Sequence, residues 1–188
     1  MKIIGGIFRS RNFYRPEGIR PTQNMAREAL FDILGPEIKN ISFLDLFAGS
    51  GAMGLEAVSR GAPKVIFVEK DQKCMNVIQE NLQILMPASL KPAPEIELFE
   101  KDAFATIKWM AGEKRIVDIV FMDPPYDRGM AKKALKTLEA YDILGPNSMV
   151  IIQHDQREIL PSDTGRFLHF RHKKYGSSCF DIYTVKGH

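Results

Sequence analysis

The chain has 188 residues, of which 45% are hydrophobic and 26% charged, with a formal net charge of +3. This length and composition predict a single domain over residues 1–188, and no apolar run approaches the roughly 20 residues of a membrane span. The first residues contain no hydrophobic signal core, so we expect a cytoplasmic protein without a membrane partner. Cys74 and Cys179 lack the spacing of metal ligands, and no metal site is expected.

Basic residues are concentrated at the two ends of the chain. Residues 1–27 carry six basic side chains against one acidic, and residues 157–188 carry six against three, so the middle of the chain is acidic. Basic termini on an acidic centre indicate a nucleic-acid partner, although charge alone also fits a solvated surface.

Residues 1–20 are predicted to form a basic N-terminal arm or short hairpin. Its candidate phosphate-binding residues are Arg9, Arg11, Arg15 and Arg20. The first helix is expected to begin at Thr22, which is a good N-cap, and to end at Gly35-Pro36.

From residue 41 onward, short apolar runs alternate with segments of helical periodicity. The predicted strands are 41–47, 65–69, 96–99, 117–122 and 149–152, and a closing antiparallel hairpin pairs 167–170 with 179–185. The predicted helices between them are 51–60, 71–85, 102–110 and 128–140. This alternation predicts an α/β fold whose mostly parallel sheet carries helices on both faces.

A glycine-rich loop follows the first of these strands. The strand ends near Asp45, and Gly49, Gly51 and Gly54 lead into the next helix, which is how an α/β sheet forms a ligand site. A Walker phosphate loop needs a lysine that is absent here. A nicotinamide pyrophosphate would be repelled by Asp45, whereas the ammonium and sulfonium of S-adenosylmethionine (SAM) suit a carboxylate. A plain turn whose glycines only permit packing is the remaining alternative.

Two further carboxylates extend this candidate cofactor site. Glu69 ends strand 2, where it can accept hydrogen bonds from ribose hydroxyls. Asp102 can accept from the adenine amino group or cap a helix, and both can hold. The candidate cofactor-binding residues are Thr22, Asp45, Phe47, Ala48, Gly49, Ser50, Gly51, Gly54, Glu69, Lys70, Asp102 and Ala103.

The segment Asp123-Pro124-Pro125-Tyr126 follows strand 4 and should lie at the same edge of the sheet as the glycine loop. An exocyclic base amine is a poor nucleophile, and two acceptors for its N–H groups would aim its lone pair at a methyl donor. Asp123 and the Pro124 carbonyl can supply these acceptors, while Pro125 stiffens the backbone. Tyr126 offers a face on which a base stacks. These four residues are the candidate catalytic group.

Several segments together carry a family resemblance over nearly the whole chain. They are Ile4-Gly5-Gly6, Arg20-Pro21-Thr22, Arg27-Glu28-Ala29-Leu30-Phe31, residues 44–51, Gly54-Leu55-Glu56-Ala57, Ser59-Arg60-Gly61-Ala62, Val68-Glu69-Lys70-Asp71, Asp123-Pro124-Pro125-Tyr126 and Tyr175-Gly176. With them the chain resembles the class I SAM-dependent methyltransferases of the DPPY type. More closely, it is similar to the bacterial 16S rRNA guanine-N2 methyltransferase family.

The resemblance implies a single methyltransferase domain with a Rossmann-like, seven-stranded sheet and an antiparallel last strand. It implies methylation of guanine N2 in 16S rRNA within the small ribosomal subunit, with S-adenosyl-L-homocysteine as product, and we expect a monomer. Two positions depart from the family pattern: Asn24-Met25 replaces the common Asp-Arg, and Gln153-His154 replaces a glutamate that often ends strand 5. His154 is expected to have a rim or capping role.

Three other functions are compatible with parts of this pattern. A DNA adenine-N6 methyltransferase can carry the same DPPY segment, but only about 20 residues separate Tyr126 from strand 5, too few for a target-recognition domain. A protein glutamine methyltransferase more often has Asn in place of Asp123. A non-catalytic RNA-binding protein on a methyltransferase fold would not need the full set of Asp45, Glu69 and DPPY.

Overall fold

The computed structural model describes residues 1–18, 24–126 and 129–186. The strands in these ranges are β1 (Ser42–Asp45), β2 (Lys64–Glu69), β3 (Glu95–Glu100), β4 (Val117–Met122), β5 (Leu144–Asp155), β6 (Phe167–Tyr175) and β7 (Ser178–Val185). The α-helices are α1 (Asn24–Leu34), α2 (Ala52–Arg60), α3 (Gln72–Leu85), α4 (Ala103–Gly112) and α5 (Met130–Ala140). None of the helices in the described ranges is long and apolar enough to cross a membrane.

The strands form one seven-stranded sheet in the order β3-β2-β1-β4-β5-β7-β6. β1 to β5 run parallel, and β7 is antiparallel to both of its neighbours, β5 and β6. The predicted seven-stranded, mostly parallel sheet with an antiparallel last strand is therefore confirmed. The strand order reverses between β1 and β4, and this is where open α/β sheets bind ligands, beyond the carboxyl ends of the strands.

Both faces of the central strands are buried, as their continuous apolar runs predict. Phe43 and Phe121 pack on one face against α1, α2 and α3, with Phe43 stacked between Phe31 and Phe121. Leu44 and Val120 pack on the other face against α4 and α5. The two cores hold the ends of β1 and β4 in fixed register, with Asp45 paired to Phe121.

Several predicted boundaries differ from those in the structure. β1 ends at Asp45, two residues before the predicted end. The Leu46 N–H still donates a hydrogen bond to the Phe121 carbonyl at 3.0 Å, and the chain turns after this residue. β5 begins at Leu144, five residues early, across a register shift opposite β4. A 3-10 helix, Gly35–Asn40, continues beyond the predicted end of α1. The predicted cap Thr22 lies outside the described residues.

The N-terminal segment, residues 1–18, is packed onto the domain. Its two halves meet at an antiparallel bridge between Lys2 and Asn12, in agreement with the predicted hairpin. Buried Glu56 on α2 accepts hydrogen bonds from the Ile4 and Gly5 N–H groups at 2.9 and 2.7 Å. Gly6 has φ 75°, and a Cβ there would lie 1.9 Å from the Ser59 carbonyl oxygen, so only glycine fits.

Candidate active site

A cavity of ≈ 560 Å³ lies at the carboxyl ends of β1, β2 and β4. This volume is within the range of about 300–1,000 Å³ that is typical of small-molecule sites. Among the predicted residues it is lined by Asp45, Phe47, Ala48, Gly49, Ser50, Glu69, Lys70, Asp102, Ala103, Asp123, Pro124, Pro125 and Tyr126. Two motifs about 70 residues apart in the sequence therefore face one space.

The glycines of the loop have two different roles. Gly49 has φ 52° and Gly51 has φ 75°, left-handed conformations that favour glycine in the turn from β1 to α2. Gly54 lies on α2, where a Cβ would come 2.2 Å from Cε1 of Phe67 on β2. Gly49 lines the cavity, but Gly51 and Gly54 do not, although both were predicted to bind a cofactor. In the structure they set the turn and the approach of α2 to the sheet.

Asp45 is the most buried charged group of the cavity wall, with 1% of its surface exposed. Its Oδ2 accepts a hydrogen bond from the Gly54 N–H at 3.0 Å, while its Oδ1 is buried without a partner among the described residues. Burial raises the pKa of Asp45 to about 7, the Gly54 bond opposes this, and the nearby charge of Glu69 adds to it. A buried carboxylate oxygen with no partner suits a positively charged group in the cavity.

Glu69 connects the end of β2 to the glycine loop. Its Oε2 accepts a hydrogen bond from the Gly49 N–H at 2.8 Å, and its Oε1 accepts one from the Asp71 N–H at 2.9 Å. The carboxylate therefore braces the loop, and its remaining acceptor capacity faces the cavity. The next side chain, Lys70, is exposed at the rim.

The far wall of the cavity is formed by the start of α4. Asp102 is the N-cap of this helix and accepts a hydrogen bond from the Ala105 N–H at 2.9 Å, which confirms its predicted capping role. Phe104 also lines the cavity and packs edge-on against Phe47, with ring centroids 6.0 Å apart. Phe104 gave no signal in the sequence, because an apolar residue in a helix is ordinarily assigned to the core.

A hydrogen-bonded chain holds the DPPY segment to the C-terminal hairpin. The Tyr126 hydroxyl donates to Ser178 Oγ at 3.1 Å and accepts from Gln153 Nε2 at 2.8 Å. Pro124 is buried, Asp123 is half-buried, and both face the cavity. Gln153 and Ser178 fix the Tyr126 ring. Gln153 stands where the sequence departs from the family pattern, whereas Ser178 gave no signal in the sequence.

The predicted RNA-binding arginines are in different environments. Arg9 and Arg15 are exposed on the N-terminal segment. Arg11 donates to the carbonyls of Ile84 and Leu85 at 2.6 and 2.8 Å, so its guanidinium caps the C-terminus of α3. Arg20 lies outside the described residues.

His154 is buried, with 3% of its surface exposed, instead of lying on the rim. Its Nε2 is 2.7 Å from Oδ2 of Asp181 on β7. Burial lowers the pKa of His154, but the hydrogen bonds to Asp181 and to the Asp155 carbonyl, together with the charges of Asp181 and Glu158, outweigh burial and raise the pKa overall. The structure therefore does not place His154 on an exposed rim, while its Nδ1 lies 2.9 Å from the Asp155 carbonyl oxygen at the end of β5, as a capping role would require.

The model of the family described as Conserved hypothetical protein 95 matches residues 1–184. The chain belongs to this family. It is 32% identical to "Ribosomal RNA small subunit methyltransferase D" of Escherichia coli K12, over 97% of this chain and 89% of that protein. The structure of a hypothetical protein of Thermus thermophilus superposes with a TM-score of 0.83 at 26% identity, covering 98% of this chain and 99% of that one.

A more distant solved structure supports the family's fold. It is an RNA methyltransferase from Salinibacter ruber in complex with S-adenosyl-L-homocysteine, with a TM-score of 0.65 and 15% identity, covering 90% of this chain and 95% of that one. At this identity the likeness concerns the fold alone. The chain thus shares the fold of that methyltransferase. Its own cavity lies at the carboxyl ends of β1, β2 and β4.

Proposed function

We propose that the protein is a SAM-dependent methyltransferase that methylates the exocyclic N2 amine of a guanine in 16S rRNA. The observation that carries the proposal is that the buried Asp45 carboxylate and the DPPY segment line one cavity. The name of the E. coli relative, a small-subunit rRNA methyltransferase, supports the substrate class.

Asp45, Glu69 and Asp102 are the residues that would hold the cofactor. SAM supplies an electrophilic methyl group on a sulfonium. The free Oδ1 of Asp45 would offset the positive charge of the cofactor, and Glu69 would accept from its ribose hydroxyls while it braces Gly49. The far wall, with Asp102, Ala103 and Phe104, would enclose an adenine ring.

Asp123 and Pro124 would position the target amine. The Asp123 carboxylate and the Pro124 carbonyl would accept the two N–H hydrogens of the amine, which directs the nitrogen lone pair to the methyl group. Tyr126, anchored by Gln153 and Ser178, would stack on the base. The methylated ammonium is acidic and loses its proton readily, so positioning and electrostatics carry the rate rather than a strong base.

Recognition of the RNA is proposed to depend on shape and on phosphate contacts. Arg9 and Arg15 are exposed and can reach a phosphate backbone, whereas Arg11 is engaged with α3. We further propose that residues 1–188 act as one domain and as a monomer. We place the protein in the cytoplasm on an assembled small ribosomal subunit, with residues 1–20 as a basic arm.

The test supplies methyl-labelled SAM with small subunits from a strain that lacks the gene, with naked 16S rRNA, or with unmethylated duplex DNA. The products are digested to nucleosides, and Asp123→Ala protein serves as the inactive control. We expect N2-methylguanosine from the ribosomal substrate. Label in N6-methyladenine from DNA, with none in rRNA, would identify a DNA adenine methyltransferase. SAM binding without transfer to any substrate would point to a non-catalytic RNA-binding protein.

A further inference from the structure

Three histidines surround one carboxylate at the edge of the sheet formed by β5, β6 and β7. Asp181 Oδ1 lies 2.7 Å from His169 Nε2 and 2.7 Å from His172 Nδ1, and its Oδ2 lies 2.7 Å from His154 Nε2. The cluster borders a second cavity of ≈ 560 Å³, closed on one side by the segment that connects β5 to β6. None of these four residues lines the cavity of the active site.

A β-bulge brings His169 and His172 to the same side of β6. Residues three apart on a regular strand point to opposite faces of the sheet. Here the register shifts between His169 and Arg171, so that His169 pairs with Tyr183 and His172 pairs with Asp181. Asp181 and Tyr183 share a face of β7, and both imidazoles therefore meet the Asp181 carboxylate. Bulges commonly re-aim side chains next to functional sites.

We propose that His169, His172 and Asp181 bind one divalent transition-metal ion of the zinc type. The three ligand atoms lie within 4.8 Å of one another. Imidazole nitrogen and carboxylate oxygen are ordinary zinc ligands at about 2.0–2.2 Å, which in a tetrahedron puts neighbouring ligand atoms roughly 3.3 Å apart. The present separations of 2.7 Å between Asp181 Oδ1 and each imidazole need to open only slightly.

The surroundings of the cluster match those of a zinc site. His154 Nε2 contacts the other oxygen of Asp181, which is how an outer hydrogen bond orients a ligand carboxylate. The His172 side chain is 50% exposed, which leaves an entry path and room for water as the fourth ligand. Such an ion would link β6 to β7 beside β5, and we assign it a structural role that stabilises the hairpin.

The test uses untagged protein, stripped with a chelator, and calorimetric titration with ZnCl₂ and with MgCl₂. We expect one Zn²⁺ per chain, a rise in Tm with Zn²⁺, and no binding of Mg²⁺, which prefers all-oxygen sites. His172→Ala should weaken Zn²⁺ binding at least about 100-fold, and His154→Gln about 10–100-fold, as for the loss of an outer partner. Arg171→Ala, an exposed change on the same strand, is the matched control and should leave binding unchanged.

Cys179 borders the same cavity and is the competing ligand. Cys179→Ser should retain Zn²⁺ binding, and Co²⁺-loaded protein should show tetrahedral visible bands without a thiolate charge-transfer band. Absence of Zn²⁺ binding would overturn the proposal, and the cluster would then be a hydrogen-bonded network only. Full binding by His172→Ala and by His169→Ala, or binding lost only with Cys179→Ser, would overturn it as well.

Discussion

The two halves of the active-site cavity are held by different kinds of contact. In the cofactor half, Asp45 accepts a hydrogen bond from the Gly54 N–H in the first turn of α2, 9 residues away in the sequence, and Glu69 accepts one from the Gly49 N–H of the glycine loop, 20 residues away. In the amine half, Tyr126 is held by the side chains of Gln153 and Ser178, 27 and 52 residues away. The first half therefore depends on local backbone geometry, and the second on correct docking of the C-terminal hairpin.

This difference implies that changes in one half should leave the other half working. The cofactor half is held by hydrogen bonds from backbone N–H groups to the carboxylates of Asp45 and Glu69. The amine half is held by hydrogen bonds between side chains, each of which contributes about 1 kcal/mol net. Binding of SAM and transfer of its methyl group should accordingly be separable by mutation.

The largest expected effect is in the amine half. Asp123→Ala removes one of the two proposed acceptors for the target amine and should lower single-turnover methyl transfer at least about 100-fold, as for other preorganised polar groups. SAM affinity, measured by calorimetry, should change little. Asp123→Asn keeps one acceptor oxygen, and its rate of methyl transfer should lie between the rates of the wild type and of Asp123→Ala. A near-normal rate in Asp123→Ala would remove Asp123 from the mechanism.

A smaller effect is expected in the cofactor half and concerns pH. The pKa of Asp45 is raised from 3.8 to about 7 in the folded protein, so the folded state retains a proton that the unfolded chain has released. The stabilisation from this proton is complete below about pH 4 and is lost as pH rises through about 7. The ionised carboxylate is the form that attracts a cation. As pH rises, SAM affinity should therefore increase, while the stability of the ligand-free protein decreases.

The measurement is a series of SAM titrations between about pH 6 and 8, over which the ionised fraction of Asp45 increases about tenfold. Wild-type affinity should increase by up to this factor. Asp45→Asn should give a flatter profile, and the remaining slope then reports the titration of SAM itself. Parallel profiles for the two proteins would contradict the assignment of Asp45 as the cation partner.

Much of the fold and most of the cavity were predictable because the signals are local. Apolar runs, helical periodicity and turn residues indicated each β/α unit, and parallel strands bring their carboxyl ends to one edge. This places Asp45, Glu69 and Asp123 near one another without any knowledge of long-range contacts. The count of seven strands and the reversed β7 came from the family resemblance, whereas the strand order was not predicted.

The features that the sequence did not predict depend on contacts between distant segments. The cluster around Asp181 requires a bulge in β6, and regular alternation would have separated His169 from His172. Arg11 has the charge that suits a phosphate ligand, but it caps α3 because the N-terminal segment folds against that helix. Gly54 is needed for its packing on Phe67, a contact that no local pattern records.

The central claim is tested most directly by nucleoside mass spectrometry of 16S rRNA from a strain that lacks the gene. We predict that N2-methylguanosine falls by one residue per 16S rRNA. Wild-type protein should restore it, and Asp123→Ala protein expressed at the same level should not. An unchanged N2-methylguanosine content in the deletion strain, together with the loss of a different methylated nucleoside, would contradict the assignment of guanine N2 as the target.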